Sequence, residues 1–340
     1  MSSVLSICIP SYNRPEQLEK LLLSIDGDPD KLEIVICEDC APRQVEVRAV
    51  VENFSKNSGY RVVYKENEVN LGYDGNFRRL IEVATGDFVL FLGDDDWFKA
   101  DALDEYISFL EANSDVGYVL RSHFAMHPGG ELEPFRYLPE RRRFAPGETS
   151  AGWLYKRTVS IGGITFNRTS ALKYATEKFD GTLLYQCHLV LEIALTEVTI
   201  YSDIPVVISW QSYREDKPNF GSAGTETALF TPGKVTSENS INFTKGFFVI
   251  VEAFDKSHGT NLTDYVLTDL SKYSYPFLSI QRKRGLGEFI NYSIRLARET
   301  RLNHTWHYYF YTMSLAIFGE RVCDKVILEI KRRLGYTPNF

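Results

Sequence analysis

Three carboxylates in a row, Asp94-Asp95-Asp96, follow an apolar run and sit between Gly93 and Trp97. Adjacent carboxylates repel unless a cation compensates, and hard oxygen donors suit Mg2+ or Mn2+, ions that usually also hold substrate phosphates. A second acidic pair, Glu38-Asp39, ends another apolar run. A carboxylate there accepts a hydrogen bond from a nucleobase N–H or a ribose hydroxyl. Pro10-Ser11-Tyr12-Asn13-Arg14 ends a third run, with a guanidinium fork for phosphate and a phenol face for a base. Plainer readings stand beside these. Asp94 or Asp95 caps a helix over 97–110, Glu38-Asp39 closes a turn before Pro42, and Asn13 is the N-cap of the helix that follows. Neither G-x-G-x-x-G nor G-x-x-x-x-G-K-[ST] follows the first strand, so phosphate would be held by metal and arginines.

These residues act together only if the chain gathers them. LSICI (5–9) is continuously apolar, as a strand buried on both faces would be. Pro15, Leu18, Leu21, Leu22 and Ile25 then recur at helical spacing. EIVIC (33–37), RVVYKE (61–66) and DFVLFL (87–92) are further strands, and NLGYDGN opens a helix through Phe77, Leu80, Ile81 and Ala84. Such alternation predicts an α/β fold with a mostly parallel sheet and right-handed crossovers. Ligands bind beyond the carboxyl ends of such strands, which places all three clusters at one edge. Residues 127–150 read as a Pro-, Gly- and Arg-rich loop, 159–166 and 199–210 as strands, and 182–195 as a helix. The polar stretch 212–226 is long for a connection and reads as a lid. From about residue 239 the pattern is helical.

Charge and cysteine usage narrow the class. The 340 residues carry a net charge of −7, but the first 280 sum to −13 and the last sixty, with 11 basic and 5 acidic side chains, to +6. An acidic body argues against a nucleic-acid partner, because phosphate contacts dominate that affinity. Five widely spaced cysteines and a beginning that reads as strand and turn rather than signal peptide predict a reducing cytoplasm, at the inner face of a membrane if the acceptor is lipid-linked. Cys37-x-x-Cys40 encloses Glu38 and Asp39, and acidic neighbours raise thiol pKa values rather than activating them.

Taken together, SICIPSYNRPEQLEKLLLSI, EIVICEDCAP and NLGYDGNFRRLIEVATGDFVLFLGDDDW resemble the nucleotide-sugar-binding half of family 2 glycosyltransferases, with the GT-A fold, over about residues 4–100. A weaker match runs through SIGGITFNRTSAL and FDGTLLYQCHLVLEIAL to about residue 215. The resemblance implies metal-dependent transfer from a nucleoside diphosphate sugar to a glycan or lipid-linked glycan. Asp39 would contact the base, with Pro10, Tyr12 and Arg14 lining the same pocket and Glu38, Asn76 and Arg79 assigned to donor binding. Asp95 would be the main ligand of Mn2+ or Mg2+, with Asp94 and Asp96 beside it. Two departures stand out. Gly93 replaces the first acid of the family's D-x-D-D, and Gln186-Cys187-His188 stand where inverting members carry Glu-Asp, which leaves His188 and Cys187 as the catalytic candidates, His188 as base. A histidine at that helix start satisfied by packing is the other reading. The G-D-D-D variant and the loop bearing Tyr213 and Arg214 are similar to the abequosyltransferase-like branch; Arg214 and Lys217 would clamp the donor diphosphate. The expected division is a GT-A domain over 1–235, split into a nucleotide-sugar half (1–115) and an acceptor half with lid (116–235), and a helical extension over 236–340.

In that extension Arg295, Arg298 and Arg301 recur every three residues, followed by Trp306-His307-Tyr308-Tyr309-Phe310-Tyr311. Basic residues interleaved with aromatics suit an anionic membrane face; packing on the body or on a second copy is the alternative. Two rival functions remain, a sugar transferase acting on nucleic-acid bases and a non-catalytic nucleotide-sugar-binding module.

Overall fold

The apolar runs of the first hundred residues form strands that pair in parallel. In the computed structural model, which describes residues 3–127, 129–210 and 224–334, β1 (Leu5–Ser11), β2 (Leu32–Glu38), β3 (Arg61–Glu66) and β4 (Phe88–Phe91) alternate with α1 (Pro15–Leu23), α2 (Gln44–Ser58) and α3 (Gly72–Val83). Strand β1 pairs with β2 on one side and β4 on the other, and β2 with β3. The chain therefore winds outward from β1 to β3, then crosses back to β4. The crevice between the carboxyl ends of β1 and β4 is the switch point at which open α/β sheets bind ligands.

The sheet continues through β5 (Trp97–Phe98), α4 (Leu103–Glu111), β6 (Tyr118–Met126), β7 (Leu132–Phe135), β8 (Arg142–Phe144), α5 (Glu148–Tyr155), β9 (Thr165–Asn167), α6 (Arg168–Lys173), α7 (Tyr185–Thr196) and β10 (Thr199–Trp210). Its order is β3-β2-β1-β4-β9-β6-β10-β5, with β7 on β6 and β8 on β10. Strands β6 and β10 are parallel; β9 runs antiparallel to both neighbours. Several expectations change here. No aspartate caps a helix at 97: Trp97 and Phe98 pair with Ile208 and Val207 of β10, and α4 starts at Leu103 after an Ala102 cap. Asn13 is not an N-cap either. It takes a left-handed φ of 62°, which asparagine tolerates, and Arg14 precedes α1 without a side-chain cap. The strand expected over 159–166 shrinks to β9, since the chain turns at Gly163 (φ 88°). The loop expected over 127–150 contains β7, β8 and the start of α5.

Period-two alternation along β1 sends Ile7 and Ile9 to one face and Cys8 to the other. The first face packs with Leu18, Leu21, Tyr106 and Leu110 of α1 and α4. The second packs with Phe77, Leu80 and Phe91 and runs on without a break to Tyr155, Leu184, Phe247, Leu270 and Leu315. That cluster includes the helices that end the chain: α8 (Ser237–His258), α9 (Leu262–Lys272), α10 (Tyr275–Arg282), α11 (Leu286–Thr300), α12 (Trp306–Phe318) and α13 (Glu320–Leu334). The helical pattern read beyond residue 239 is thus realised, and these helices share a core with the sheet. All five cysteines are free and only Cys40 is exposed. Burial pushes the Cys37 thiol up to about 12, so Cys37-x-x-Cys40 has no activated thiolate there.

One buried carboxylate ties the two halves of this core. Asp74, in the first turn of α3, accepts hydrogen bonds from the N–H groups of Leu183 (2.9 Å) and Tyr185 (3.0 Å) at the start of α7. It thereby holds Leu183 in a left-handed conformation, φ 64°. Burial pushes the Asp74 carboxyl up to about 7, against the pull of the two N–H donors. We expect Asp74→Ala to lower stability by about 2–4 kcal/mol in denaturant titrations, through the two lost bonds and the released turn. A folded-state pKa above the unfolded value means that this group's contribution is full below about pH 4 and falls as pH rises through 7. The gap between wild type and Asp74→Ala is therefore wider at about pH 5 than at about pH 8; a gap that widens with pH would contradict this assignment.

Candidate active site

The ends of β1, β2 and β4, the start of α3 and the end of β10 surround a cleft of about 650 Å3. Pro10, Tyr12 and Arg14 come from the end of β1, Asp39 from β2, Asn76 from α3, and Gly93 to Asp96 from β4. Residues far apart in sequence meet here because parallel strands end at one edge.

The carboxylates of the cleft are held in different ways. Asp94 is buried, and its Oδ1 accepts from Arg14 Nη1 at 2.8 Å; Asp95 Oδ2 lies 3.7 Å from the same nitrogen. Burial pushes the Asp94 carboxyl up to about 6, with Arg14 opposing that rise. Arg14, expected as a phosphate fork, thus balances the acidic turn in this structure. Asp96 Oδ1 accepts from the Trp210 N–H (3.1 Å) and Oδ2 from Ser209 Oγ (3.2 Å), fastening the end of β10 to the end of β4. Gly162 lies against that carboxylate: a Cβ there would fall 2.5 Å from Asp96 Oδ2. The carbonyl of Gly162 accepts from Nε of the fully buried Arg121 (2.6 Å), which anchors this cleft-lining turn. At Gly93 a Cβ would stand 3.0 Å from Asp95 Oδ1, so glycine in place of an acid leaves Asp95 its room.

At the end of β2, Asp39 Oδ1 accepts from Asn67 Nδ2 and the Leu71 N–H, both 2.8 Å, and Oδ2 from the Gly72 N–H at 3.0 Å. These N–H groups open α3, a helix N-terminus that favours negative charge. A second carboxylate reaches the same terminus. Glu226, buried in a 3-10 turn (Gly224–Ala228), accepts from the Tyr73 N–H and lines the cleft. Sequence reasoning missed Glu226 as a site residue; it closes the long polar stretch, and that length was the only signal. Missed too were Val159 to Gly162, Ser209, Trp210 and Phe243, which line the cleft from a turn, the end of β10 and α8 without a motif.

Other expected residues lie elsewhere. Glu38 is buried and closes a turn, accepting from the N–H groups of Cys40 (3.1 Å) and Ala41 (2.8 Å), so the plainer reading holds and it does not line the cleft. Asn76 lines it, with Nδ2 donating to the Cys37 carbonyl. Arg79 is exposed, pairs with Glu82 at 3.3 Å and stays outside. The catalytic candidates on α7 are corrected outright. His188 is buried with Nε2 against the Tyr174 carbonyl (2.9 Å) and its ring 4.8 Å from Phe179; it borders a separate cavity of about 210 Å3. Burial lowers its pKa, and His188 does not line the cleft. Cys187 is fully buried with Sγ toward the Tyr155 carbonyl, and burial raises its thiol pKa. Neither lines the cleft; the adjacent Gln186 bonds two residues that do, accepting from Tyr73 Oη (3.0 Å) and donating to the Val159 carbonyl (2.8 Å). Arg214 and Lys217 lie outside the described residues.

Among the described residues no three His, Cys, Asp or Glu side chains form a protein-only cage. Hard divalent ions, Mg2+ in particular, are commonly held by one or two carboxylates and completed by substrate phosphates and water, and Asp95 with Asp94 and Asp96 beside it fits that chemistry.

Comparison with known proteins places this architecture. The glycosyl transferase family 2 model matches residues 6–174. Abequosyltransferase RfbV of Salmonella typhimurium is 33% identical over 114 residues, 33% of this chain and 34% of that protein. The poly(ribitol-phosphate) beta-N-acetylglucosaminyltransferase TarS of Staphylococcus aureus is 30% identical over 116 residues, 33% of this chain and 20% of its own. The chain thus spans about a third or less of the length of these curated relatives. The crystal structure of TarS 1–349 in complex with UDP-GlcNAc matches with a TM-score of 0.53 at 14% identity, covering 98% of this chain and 92% of that one. The mannosyltransferase PcManGT from Pyrobaculum calidifontis, in complex with GDP-Man and Mn2+, matches with a TM-score of 0.51 at 15% identity, covering 94% and 88%. At those identities the structures share the fold, which is GT-A. With the sheet order, the acidic turn after β4 and the matched residues all in agreement, the chain belongs to glycosyltransferase family 2.

Proposed function

We propose that this chain transfers a sugar from a nucleoside diphosphate sugar to a hydroxyl of a growing bacterial surface polysaccharide or another glycan, carried on a lipid at the inner face of the membrane. The observation that carries the reading is that Asp39, Arg14 and Asp94 to Asp96 line one cleft at the switch point of the sheet. Residues 1–235 act as the catalytic unit, and 236–340 as a helical extension packed on it. Asp39, seated on the start of α3, turns toward the nucleoside, and Tyr12 flanks it. Asp95, with Asp94 and Asp96 beside it, would hold Mn2+ or Mg2+, which would supply positive charge for the departing diphosphate. Arg14 keeps the buried Asp94 from repelling its neighbours. The relatives support the class: RfbV is named an abequosyltransferase, TarS binds UDP-GlcNAc, and PcManGT binds GDP-Man with Mn2+.

The acceptor hydroxyl needs a base, and α7 has none facing the cleft. Glu226 takes that role in our reading: it is a cleft carboxylate outside the acidic turn. A general base of this kind contributes roughly 10^2- to 10^4-fold.

Thermal stabilisation by UDP-, GDP-, CDP- and dTDP-sugars, with and without Mn2+ or Mg2+, checks the donor site. One nucleotide should raise Tm in a metal-dependent manner, and Asp95→Ala should abolish the metal-dependent part. Undiminished turnover of Asp95→Ala in the presence of chelator would sink the metal role. Glu226→Gln keeps the acceptor oxygen for the Tyr73 N–H, so we expect donor stabilisation to survive while kcat drops by roughly 10^2-fold or more; unchanged kcat rejects Glu226 as base. His188→Ala should leave turnover and its pH profile unchanged. A chain that binds nucleotide sugar but never turns it over, with any glycan offered, is a binding module instead.

A further inference from the structure

Helix α12 contains thirteen residues and no charge. Tyr308, Tyr311 and Leu315 pack inward, while Trp306, Tyr309, Phe310, Met313 and Ile317 recur at helical spacing on the other side, each between 54% and 68% exposed. A helix apolar all round is ordinarily covered on both sides, and a contiguous exposed apolar face marks an interaction surface where scattered residues would not. Helix α13 continues the pattern, with Val322 and Val326 half exposed next to the exposed Arg321 and Lys325.

The surrounding charge selects the occupant. The last sixty residues sum to +6 and the preceding 280 to −13. Arg298, Arg301, Arg321 and Lys325 are exposed and make no ion pair among the described residues. A symmetric contact with a second copy would set +6 against +6; an anionic lipid surface complements it. Aromatic residues such as Trp306 and Tyr309 favour the headgroup level, and basic residues beside an apolar helix face add attraction to lipid phosphates. No helix among the described residues is long and apolar enough to cross a membrane, so the contact lies in the interface plane. We propose that the outer face of α12, with the basic edge of α13, docks this chain on an anionic membrane surface. The inference stands on exposure and charge and does not require the transfer reaction, although a lipid-linked acceptor would be reached from that position.

Flotation of the full chain with vesicles of phosphatidylcholine alone, and with roughly 30% phosphatidylglycerol, tests it. Binding is expected only to the anionic vesicles and should weaken at about 0.5 M salt. Met313→Glu with Ile317→Glu should lower vesicle affinity at least about tenfold, and Arg321→Gln with Lys325→Gln about twentyfold. All four positions are exposed, so Tm and nucleotide-sugar stabilisation should be unchanged. Loss of lipid binding is thereby separable from failure of the donor site. Absence of flotation with anionic vesicles overturns the proposal, as does flotation indifferent to both double variants. A dimer in light scattering that Met313→Glu with Ile317→Glu dissociates would also overturn it, assigning the face to a second copy.

Discussion

Five carboxylates, those of Asp39, Asp94, Asp95, Asp96 and Glu226, share the walls of one cleft, and keeping them there is the constraint around which the structure is arranged. Two unit charges at about 4 Å repel by about 4 kcal/mol at the effective dielectric of a protein surface. The fold divides the load. Asp39 and Glu226 rest on the N–H groups that open α3, Asp94 on Arg14, and Asp96 on the backbone and Ser209 of β10. The offset is incomplete, since burial still pushes the Asp94 carboxyl up to about 6. A cleft in that state is receptive to a cation, which is what a diphosphate substrate requires as well.

Helix α3 is the element through which site and core communicate. Its N-terminus receives Asp39 and Glu226, Asp74 in its first turn holds the start of α7, and Phe77 one turn later stacks on Phe91 with centroids 3.6 Å apart. Arg78 then forms a bidentate pair with Asp180 at 2.6 and 2.8 Å, pinning the turn that leads into α7. Four successive functions on one helix mean that a shift of α3 would disturb cleft-lining residues and the apolar core together. The close packing of such cores makes the arrangement stiff.

Much of the first hundred residues was legible because each signal there is local. Continuous apolar runs predict strands buried on both faces, and parallel strands bring their carboxyl ends to one edge. The pattern therefore places Asp39, Tyr12, Arg14 and the acidic turn at one edge, where they line a single cleft. Glu38 and Arg79 were not resolved by the same logic, because a one-residue step reverses a side chain along a strand and turns it by about 100° around a helix, and spacing alone does not report the turn at Cys40, where φ is 53°. His188 failed for the same reason on α7: the helix was read correctly, but its rotation about its own axis is set by the packing of Phe179 and Tyr174. Glu226 carries no motif, and its place depends on a contact with Tyr73, 153 positions away.

The sequence by itself determined the family, the alternation of strands and helices, the acidic turn and the uneven charge, since each rests on residues within a few positions of one another or on their sum. Tertiary structure decided which carboxylates share the cleft, that Arg14 offsets Asp94, that α7 turns His188 away, and that α12 keeps one apolar side uncovered. Those outcomes depend on the relative placement of elements distant along the chain, fixed by the packing of the whole core rather than by any local preference.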